Sequence, residues 1–273
     1  MCRSAAVWVI FSSSSEMKIL TVLSEHKFLF EELVKRDFKA KYKRTVLGML
    51  WSILSPLLML LIMNLIFSNF FGRSIAHFTI YLFCGNLLFS YFRESTSVGM
   101  SALTGNASIF TKVNIPKYLF LLSRNVSSLI NFLINLGIFF VFCIFDNIDF
   151  SWKFLALLYP VAGLLLFNLG VGFILSALYI FFRDVKYLYD VFTMLLMYLS
   201  AIFYSVKSFP PEYQKLFLLN PVYVYISYFR EVVLDGRLPG VTLHLLAAGY
   251  ALGALLIGAW FYKKFNRSFL YYV

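Results

Sequence analysis

The sequence is poor in charge. Asp, Glu, Lys and Arg make up 14% of its 273 residues, against about 25% in an ordinary soluble domain. Acid is scarcest, with 13 Asp and Glu against 24 Lys and Arg. That imbalance does not point to nucleic acid, because the basic residues gather at the ends of long apolar runs. Cysteine is nearly missing. Cys2, Cys84 and Cys143 show no C-x-x-C spacing, and the last two sit inside apolar runs, so they read as small apolar filler. The three histidines, His26, His77 and His244, are scattered, with no H-E-x-x-H pair. There is no G-x-x-x-x-G-K-[ST] loop to cradle nucleotide phosphates and no G-x-S-x-G elbow. No catalytic residue and no metal ligand is expected. The few carboxylates lie near the ends of apolar runs. A proton- or sodium-coupled transporter would place them mid-membrane.

What is present is apolar residue. The chain is 61% hydrophobic with a mean hydropathy of +0.80, which indicates a polytopic membrane protein. Val46 to Phe71 carries no charge over about 26 residues, roughly 39 Å of helix, enough to cross a hydrocarbon core of about 30 Å with some tilt. Just before it, Lys35, Arg36, Lys39, Lys41, Lys43 and Arg44 crowd together. Lys and Arg resist translocation, so this junction belongs on the cytoplasmic side and orients everything after it.

Residues 1–24 read as an N-terminal extension, disordered or upstream of the natural start. They include a short apolar run without an A-x-A-like cleavage site, and a second Met at Met17. Residues 25–45 read as a cytoplasmic amphipathic helix at the membrane interface, with Phe30, Leu33, Val34 and Phe38 on its apolar face. Residues 46–267 read as a domain of six transmembrane helices. These are Val46–Phe71, about Phe78–Leu103, about Tyr118–Phe145, Phe154–Phe182, Leu188–Val206 and Val241–Tyr262. Arg93 and Glu94 sit where a side chain can snorkel or pair. Gly163, Gly170 and Gly172 give the fourth span a small-residue face for close packing. Lys207 to Gly240, with Pro210, Pro211, Pro221 and Pro239, reads as a re-entrant external hairpin of two short helices, capped at Asn220. Residues 268–273 form a cytoplasmic tail. Both termini are then inside. The outer positions hold only Arg73, Lys153, Lys207, Lys215, Arg230 and Arg237 of the basic residues.

Aromatic side chains are abundant: 32 Phe, 18 Tyr and 4 Trp. Tyr and Trp combine an apolar face with a polar handle. A path lined by them lets sugar rings slide without tight binding. The candidates are Trp51, Tyr81, Phe89 and Tyr91, with Tyr198, Phe203 and Tyr204 in the fifth span. Between spans two and three, Ala107 to Val113 has room for one or two helical turns. It sets Ile109 and Phe110 among polar neighbours, as an exposed anchor for a partner would be.

Four stretches resemble the membrane subunits of type-2 ABC exporters for bacterial surface polysaccharides. RDFKAKYKRTVLGMLWSILSPLLML carries Arg36, Asp37, Lys39, Tyr42, Leu47, Gly48, Trp51, Leu54, Pro56 and Leu57 at that family's spacing. GNASIFTKVNIPK is similar to its coupling segment, FFRDVKYL to its F-R-D turn, and LLNPVYVYISYFREVVLDG to its hairpin before the last span. The resemblance implies a bacterial inner-membrane half-transporter. Two copies of this chain would form the channel, and two copies of a separate ATPase would hold the ATP and Mg, leaving this chain without a cofactor. The cargo would be a lipid-linked polysaccharide such as O antigen, teichoic acid, capsule or a rhamnose-rich polymer. It also implies that Arg36, Asp37, Lys39 and Tyr42 belong to the interface helix. Contact with the ATPase falls to Asn106, Ile109, Phe110, Lys112 and Pro116, with Arg183 and Asp184 in the next inner turn. Two other readings stand beside it. One is a type-2 exporter of drugs or lipids. The other is a membrane-embedded glycosyl- or acyltransferase, built on Asp146 with Asp149 or Glu231 with Asp235.

Overall fold

A computed structural model describes residues 26–42, 46–71, 75–113, 115–266, 268–270 and 272. The N-terminal extension, Lys43, Arg44, Arg73 and Arg267 lie outside them, as does the side chain of Tyr42. The described residues contain helices and no strand. In order they are α1 (Lys27–Tyr42), α2 (Trp51–Phe71), α3 (Phe78–Met100), α4 (Ala107–Phe110), α5 (Tyr118–Phe145), α6 (Leu158–Phe181), α7 (Val185–Leu199), α8 (Pro211–Phe217), α9 (Pro221–Val233) and α10 (Val241–Phe265). Four stretches among the described residues are long and apolar enough to cross a membrane: Gly48–Ser68, Tyr118–Phe145, Trp152–Phe181 and Val241–Phe265. The chain is an all-α polytopic membrane protein.

The long helices run alternately between two ends. At one end α1, α4, the start of α5 and the ends of α6 and α10 converge on a single apolar cluster. It contains Leu33, Phe110, Phe120, Ile180, Tyr262 and Phe269. There Lys117 Nζ donates to the Asn266 carbonyl at 2.7 Å. At the opposite end His77 pairs with Asp146 at 2.7 Å, Lys153 Nζ donates to the Gly236 carbonyl at 2.6 Å, and the Tyr159 hydroxyl donates to the His244 carbonyl at 2.8 Å. These contacts define an α1 end and an α9 end.

The closest packing joins α6 to α10. Gly170 and Gly258 face each other so tightly that a Cβ on Gly170 would fall on the Ala254 carbonyl, and one on Gly258 on the Gly170 carbonyl. With no competing hydrophobic effect between helices in lipid, such close backbone contact is what holds them. Of the small-residue face read in the fourth span, Gly170 is used in this way, while Gly163 faces the Tyr225 ring and Gly172 the Leu121 side chain.

Lys207 to Gly240 folds into the two short helices the prolines suggest. Asn220 Oδ1 accepts from the amides of Val222 and Tyr223 at 3.0 and 3.4 Å, and Pro221 takes the first helical position. Helix α9 has 13 residues, about 20 Å at 1.5 Å per residue, short of the ~30 Å apolar core of a bilayer. It is packed into the middle of the protein, with Val222, Tyr225, Ile226, Tyr228, Phe229 and Val232 fully buried. By contrast, α2 and α7 leave apolar faces uncovered. Leu58, Leu61, Ile62 and Leu65 are exposed on the first, and Leu188, Val191, Met194 and Leu195 on the second.

The fifth apolar helix is shorter than its hydrophobicity suggests. It spans Val185–Leu199, not Leu188–Val206. The cause is polar. Arg230 of α9 donates from Nη1 to the Ala201 carbonyl at 2.9 Å and from Nη2 to the Ile202 carbonyl at 3.0 Å. A continuing helix would give those carbonyls to amides four residues on. Ala201 adopts φ +49° where the chain turns away.

Replacing Gly170 with Ala should therefore force α6 and α10 apart, at about 1–3 kcal/mol. Gly249 of α10 meets nothing within 4 Å of an added Cβ. Gly249→Ala should be neutral or stabilising by about 0.5–1 kcal/mol, as expected for Gly to Ala inside a helix. Thermal unfolding of the two purified variants in detergent checks the contrast. Equal effects would show that the backbone contact is not what joins these helices.

Candidate functional site

On α1, Leu29, Leu33 and Asp37 recur every four residues and so share one face, which lies against α5. The first two pack in the apolar cluster. The third brings a carboxylate whose side chain is only 3% exposed. Such a charge costs several kcal/mol unless it is paired and hydrogen-bonded. Asp37 Oδ1 accepts from Arg36 Nε and Nη2 at 3.0 and 2.7 Å. Its Oδ2 lies 3.3 Å from Arg124 Nε and accepts from Ser123 Oγ at 3.5 Å. Arg36 Nη2 also donates to Asn106 Oδ1 at 2.8 Å, and Asn106 Nδ2 donates to the Ala102 carbonyl at 2.7 Å. Arg36 and Asp37 in one motif and Asn106 in another thus meet in a single network that ties α1 to α5 and to the loop after α3. Ser123 and Arg124 were missed by sequence reasoning. Their signal was a polar run, Ser123, Arg124 and Asn125 with Ser127 and Ser128, near the start of a helix that is apolar toward its other end. Lys39 is exposed and takes no part.

Phe110 corrects an expectation. It is 5% exposed, not an outward anchor. Helix α4 is a single turn and has no room to present a face of its own. Phe110 folds back against Phe120, ring centroids 6.1 Å apart, with Lys117 Nζ 5.8 Å from its ring centroid. Burial lowers the pKa of that ammonium below the usual lysine range. Ile109 and Pro116 are half-buried. The surface of this loop is made by Ser108, Thr111, Lys112 and Val113, the last 53% exposed. Arg183 and Asp184 are exposed in the α6–α7 turn, with the Arg183 guanidinium 5.0 Å from the Tyr179 ring.

Between α2, α3 and α5 runs a polar groove. Asn86, Ser90 and Glu94 stand at four-residue spacing on α3, and Asn135 on α5 and Ser52 and Ser55 on α2 face them across a cavity of ≈ 500 Å³. Toward the α1 end, Ser128, Asn131 and Lys41 continue the lining. Glu94 Oε1 accepts from Lys41 Nζ at 2.8 Å and from Asn131 Nδ2 at 2.9 Å. The Tyr91 hydroxyl and Asn135 Oδ1 are buried without a hydrogen-bond partner among the described residues. Of the aromatics expected on a path, Trp51 lines this cavity and Tyr91 borders it. Phe89 does not reach it. It is 3% exposed and packs beside Phe92 in the core.

The other four aromatics collect at the α9 end. The Tyr81 hydroxyl donates to the Tyr204 carbonyl at 2.7 Å, and the Tyr204 hydroxyl donates to the Tyr198 carbonyl at 2.8 Å. Phe203 is buried and stacks on Phe67 at 4.6 Å, so it faces neighbouring helices rather than a path. Arg230 sits among them, with its guanidinium 3.4 Å from the Tyr81 ring centroid and Nη2 donating to the Tyr81 carbonyl at 3.0 Å. Gly85 makes room for it, since a Cβ there would lie 2.8 Å from Nη2. Among the described residues no group of three His, Cys, Asp or Glu is placed to hold a metal ion.

Comparison with known proteins matches residues 29–234 to the family described as ABC-2 type transporter. The chain is 27% identical to the O-antigen export system permease protein RfbA of Myxococcus xanthus, over 82% of this chain and 86% of that one. It is 29% identical to a protein of the same name from Klebsiella pneumoniae, over 77% and 83%. It is 24% identical to the polysialic acid transport protein KpsM of Escherichia coli, over 89% and 96%.

Asp37→Ala would leave Arg36 and Arg124 facing each other without their shared carboxylate. It should cost about 3–5 kcal/mol, as removing one partner of a buried ion pair does. Thermal unfolding should register a large drop, whereas Lys35→Ala, which breaks only an exposed pair with Glu32, should change nothing measurable. A small effect of Asp37→Ala would mean the network does not hold α1 in place.

Proposed function

The chain belongs to the ABC-2 type transporter family, and on that premise we propose that it is the permease subunit of an exporter moving lipid-linked polysaccharide across the bacterial inner membrane. What carries this reading is the similarity, over most of both chains, to proteins whose names specify O-antigen export and polysialic acid transport. The groove supplies a physical means. Its amides, hydroxyls and single Lys41–Glu94 pair offer hydrogen bonds to a hydroxyl-rich cargo. A drug or lipid exporter has less use for a polar wall inside apolar helices. Of the carboxylates a transferase would need, Asp146 pairs with His77, and Glu231 and Asp235 share Arg237.

In this reading α2, α3, α5, α6, α7 and α10 are the six crossings, α1 lies at the inner interface, and α8 and α9 dip in from outside without crossing. The short α7 completes its crossing through residues 200–206. ATP is hydrolysed on a separate subunit, two copies of which dock beneath two copies of this chain. The uncovered apolar faces of α2 and α7 suit the second copy. The docking surface is the loop formed by Ser108, Thr111, Lys112 and Val113, with Arg183 and Asp184 beside it. Phe110 supports that loop from beneath.

The test is ATP-driven translocation of lipid-linked O-antigen-type glycan in proteoliposomes holding this chain and its ATPase. Val113→Asp should weaken subunit association about tenfold, as loss of one apolar interface anchor does, and reduce export with it. Phe110→Ala should instead lower the thermal stability of the permease by about 3–5 kcal/mol, the cost of deleting a buried Phe. If Val113→Asp leaves association and export intact, the docking surface lies elsewhere. If no glycan moves at all, the export reading fails.

A further inference from the structure

A second cavity, ≈ 280 Å³, opens at the α9 end between the start of α3, the segment after α7, and α9. It is separate from the groove but close to it: Tyr81 in its wall and Asn86, the nearest groove residue on α3, are five residues apart, about 7.5 Å along the helix. Helix α9 contributes an ordered stripe to it, Tyr223, Ser227, Arg230 or Glu231, and Leu234, at helical spacing. The rest of α9 is buried apolar residue. Within that stripe Arg230 is held by the Tyr81, Ala201 and Ile202 carbonyls and Glu231 pairs with Arg237, and the cavity opens beside them.

Its chemistry is mixed. Arg237 stands between two carboxylates, 3.6 Å from Glu231 Oε2 and 3.2 Å from Asp235 Oδ2, so that trio keeps a formal charge of −1. Arg230 forms the floor, 7% exposed. Its ion is balanced by three backbone carbonyls and a tyrosine ring, and no carboxylate lies within 4 Å of it among the described residues. The lining therefore offers carboxylate acceptors, cationic donors, hydroxyls and the Tyr223 ring in one small space. Vicinal sugar hydroxyls donate to carboxylates and accept from guanidinium and ammonium groups, and the C–H face of a pyranose packs on an aromatic ring. At ≈ 280 Å³ the space falls just under the ~300 Å³ at which pockets for drug-sized ligands begin, so it suits one ring and not an oligosaccharide.

We propose that this cavity is a saccharide subsite that holds a single pyranose unit at the end of the protein opposite α1. The assignment deepens the export reading and rests on it: the polymer would meet a site here as it leaves. The site depends on α9 being seated, because the same helix both closes the core and carries the stripe. A sugar held there binds to the helix that clamps the end of α7.

The experiment is saturation-transfer NMR on the permease–ATPase complex in nanodiscs, with N-acetyl-D-glucosamine, L-rhamnose and methyl α-D-mannopyranoside as probes. At least one should receive saturation from the unmodified complex. Glu231→Gln, which keeps shape and removes the charged acceptor, should weaken that binding roughly tenfold. Ser227→Phe, which fills the cavity, should abolish it. Leu252→Ala, on the exposed face of α10, should leave it unchanged. Absence of transfer to any probe, or equal transfer in Ser227→Phe, overturns the subsite. Glycan translocation by the same nanodisc complex after transfer to liposomes is scored separately. A complex that exports but binds no probe refutes the subsite alone, while one that moves no glycan refutes the export reading.

Discussion

A polar group inside an apolar helical body must find its partner within the protein, because lipid offers none. Most of the structure's departures from plain helix packing follow from that constraint. Arg230 is satisfied by taking the Ala201 and Ile202 carbonyls, which the chain presents just past the end of α7. Asp37 is satisfied by Arg36, Arg124 and Ser123, so α1 is fixed to α5. Glu94 is satisfied by Lys41 and Asn131, which joins the end of α1 to the wall of the groove.

The same constraint gives the molecule its mechanical layout. Helix α7 has little packing of its own and is held at its two ends by polar contacts. Near the α1 end the Tyr189 hydroxyl bonds Thr96, and at the α9 end Arg230 and Asn220 hold residues 200–202. A helix held at points rather than along a face can shift when one point releases. The Arg36–Asp37–Asn106 network sits directly behind the loop assigned to the ATPase. In the proposed reading, a push on Lys112 and Val113 reaches α1 and α5 through Asn106 and Arg36 rather than through the bilayer.

Much of this was legible in the chain and some was not. The apolar runs gave the long helices, the prolines and Asn220 gave α8 and α9, and one of the three glycines read in the fourth span, Gly170, gave its closest contact. Each of these is local or periodic. Span five was overextended because hydropathy stays high through Val206, while the chain turns out of the helix at Ala201 and hands its Ile202 carbonyl to a guanidinium 28 residues away in sequence. Phe110 was read as exposed because its neighbours are polar. Its burial depends on α5, α10 and the segment after it arriving at the same place. The polar groove was invisible for the same reason. Asn86, Ser90, Glu94 and Asn135 are unremarkable within their own helices and become a wall only when α3 and α5 are set side by side.

The central claim is that the cargo passes along that groove. Its most direct test is site-specific photo-crosslinking. A benzoyl-phenylalanine is placed at Ser90, and another at Leu252 on the exposed face of α10. The reconstituted permease–ATPase complex is then stalled during export with a non-hydrolysable ATP analogue. The account predicts that glycan is captured at position 90 and not at position 252. Equal capture at both, or capture at 252 alone, would contradict it.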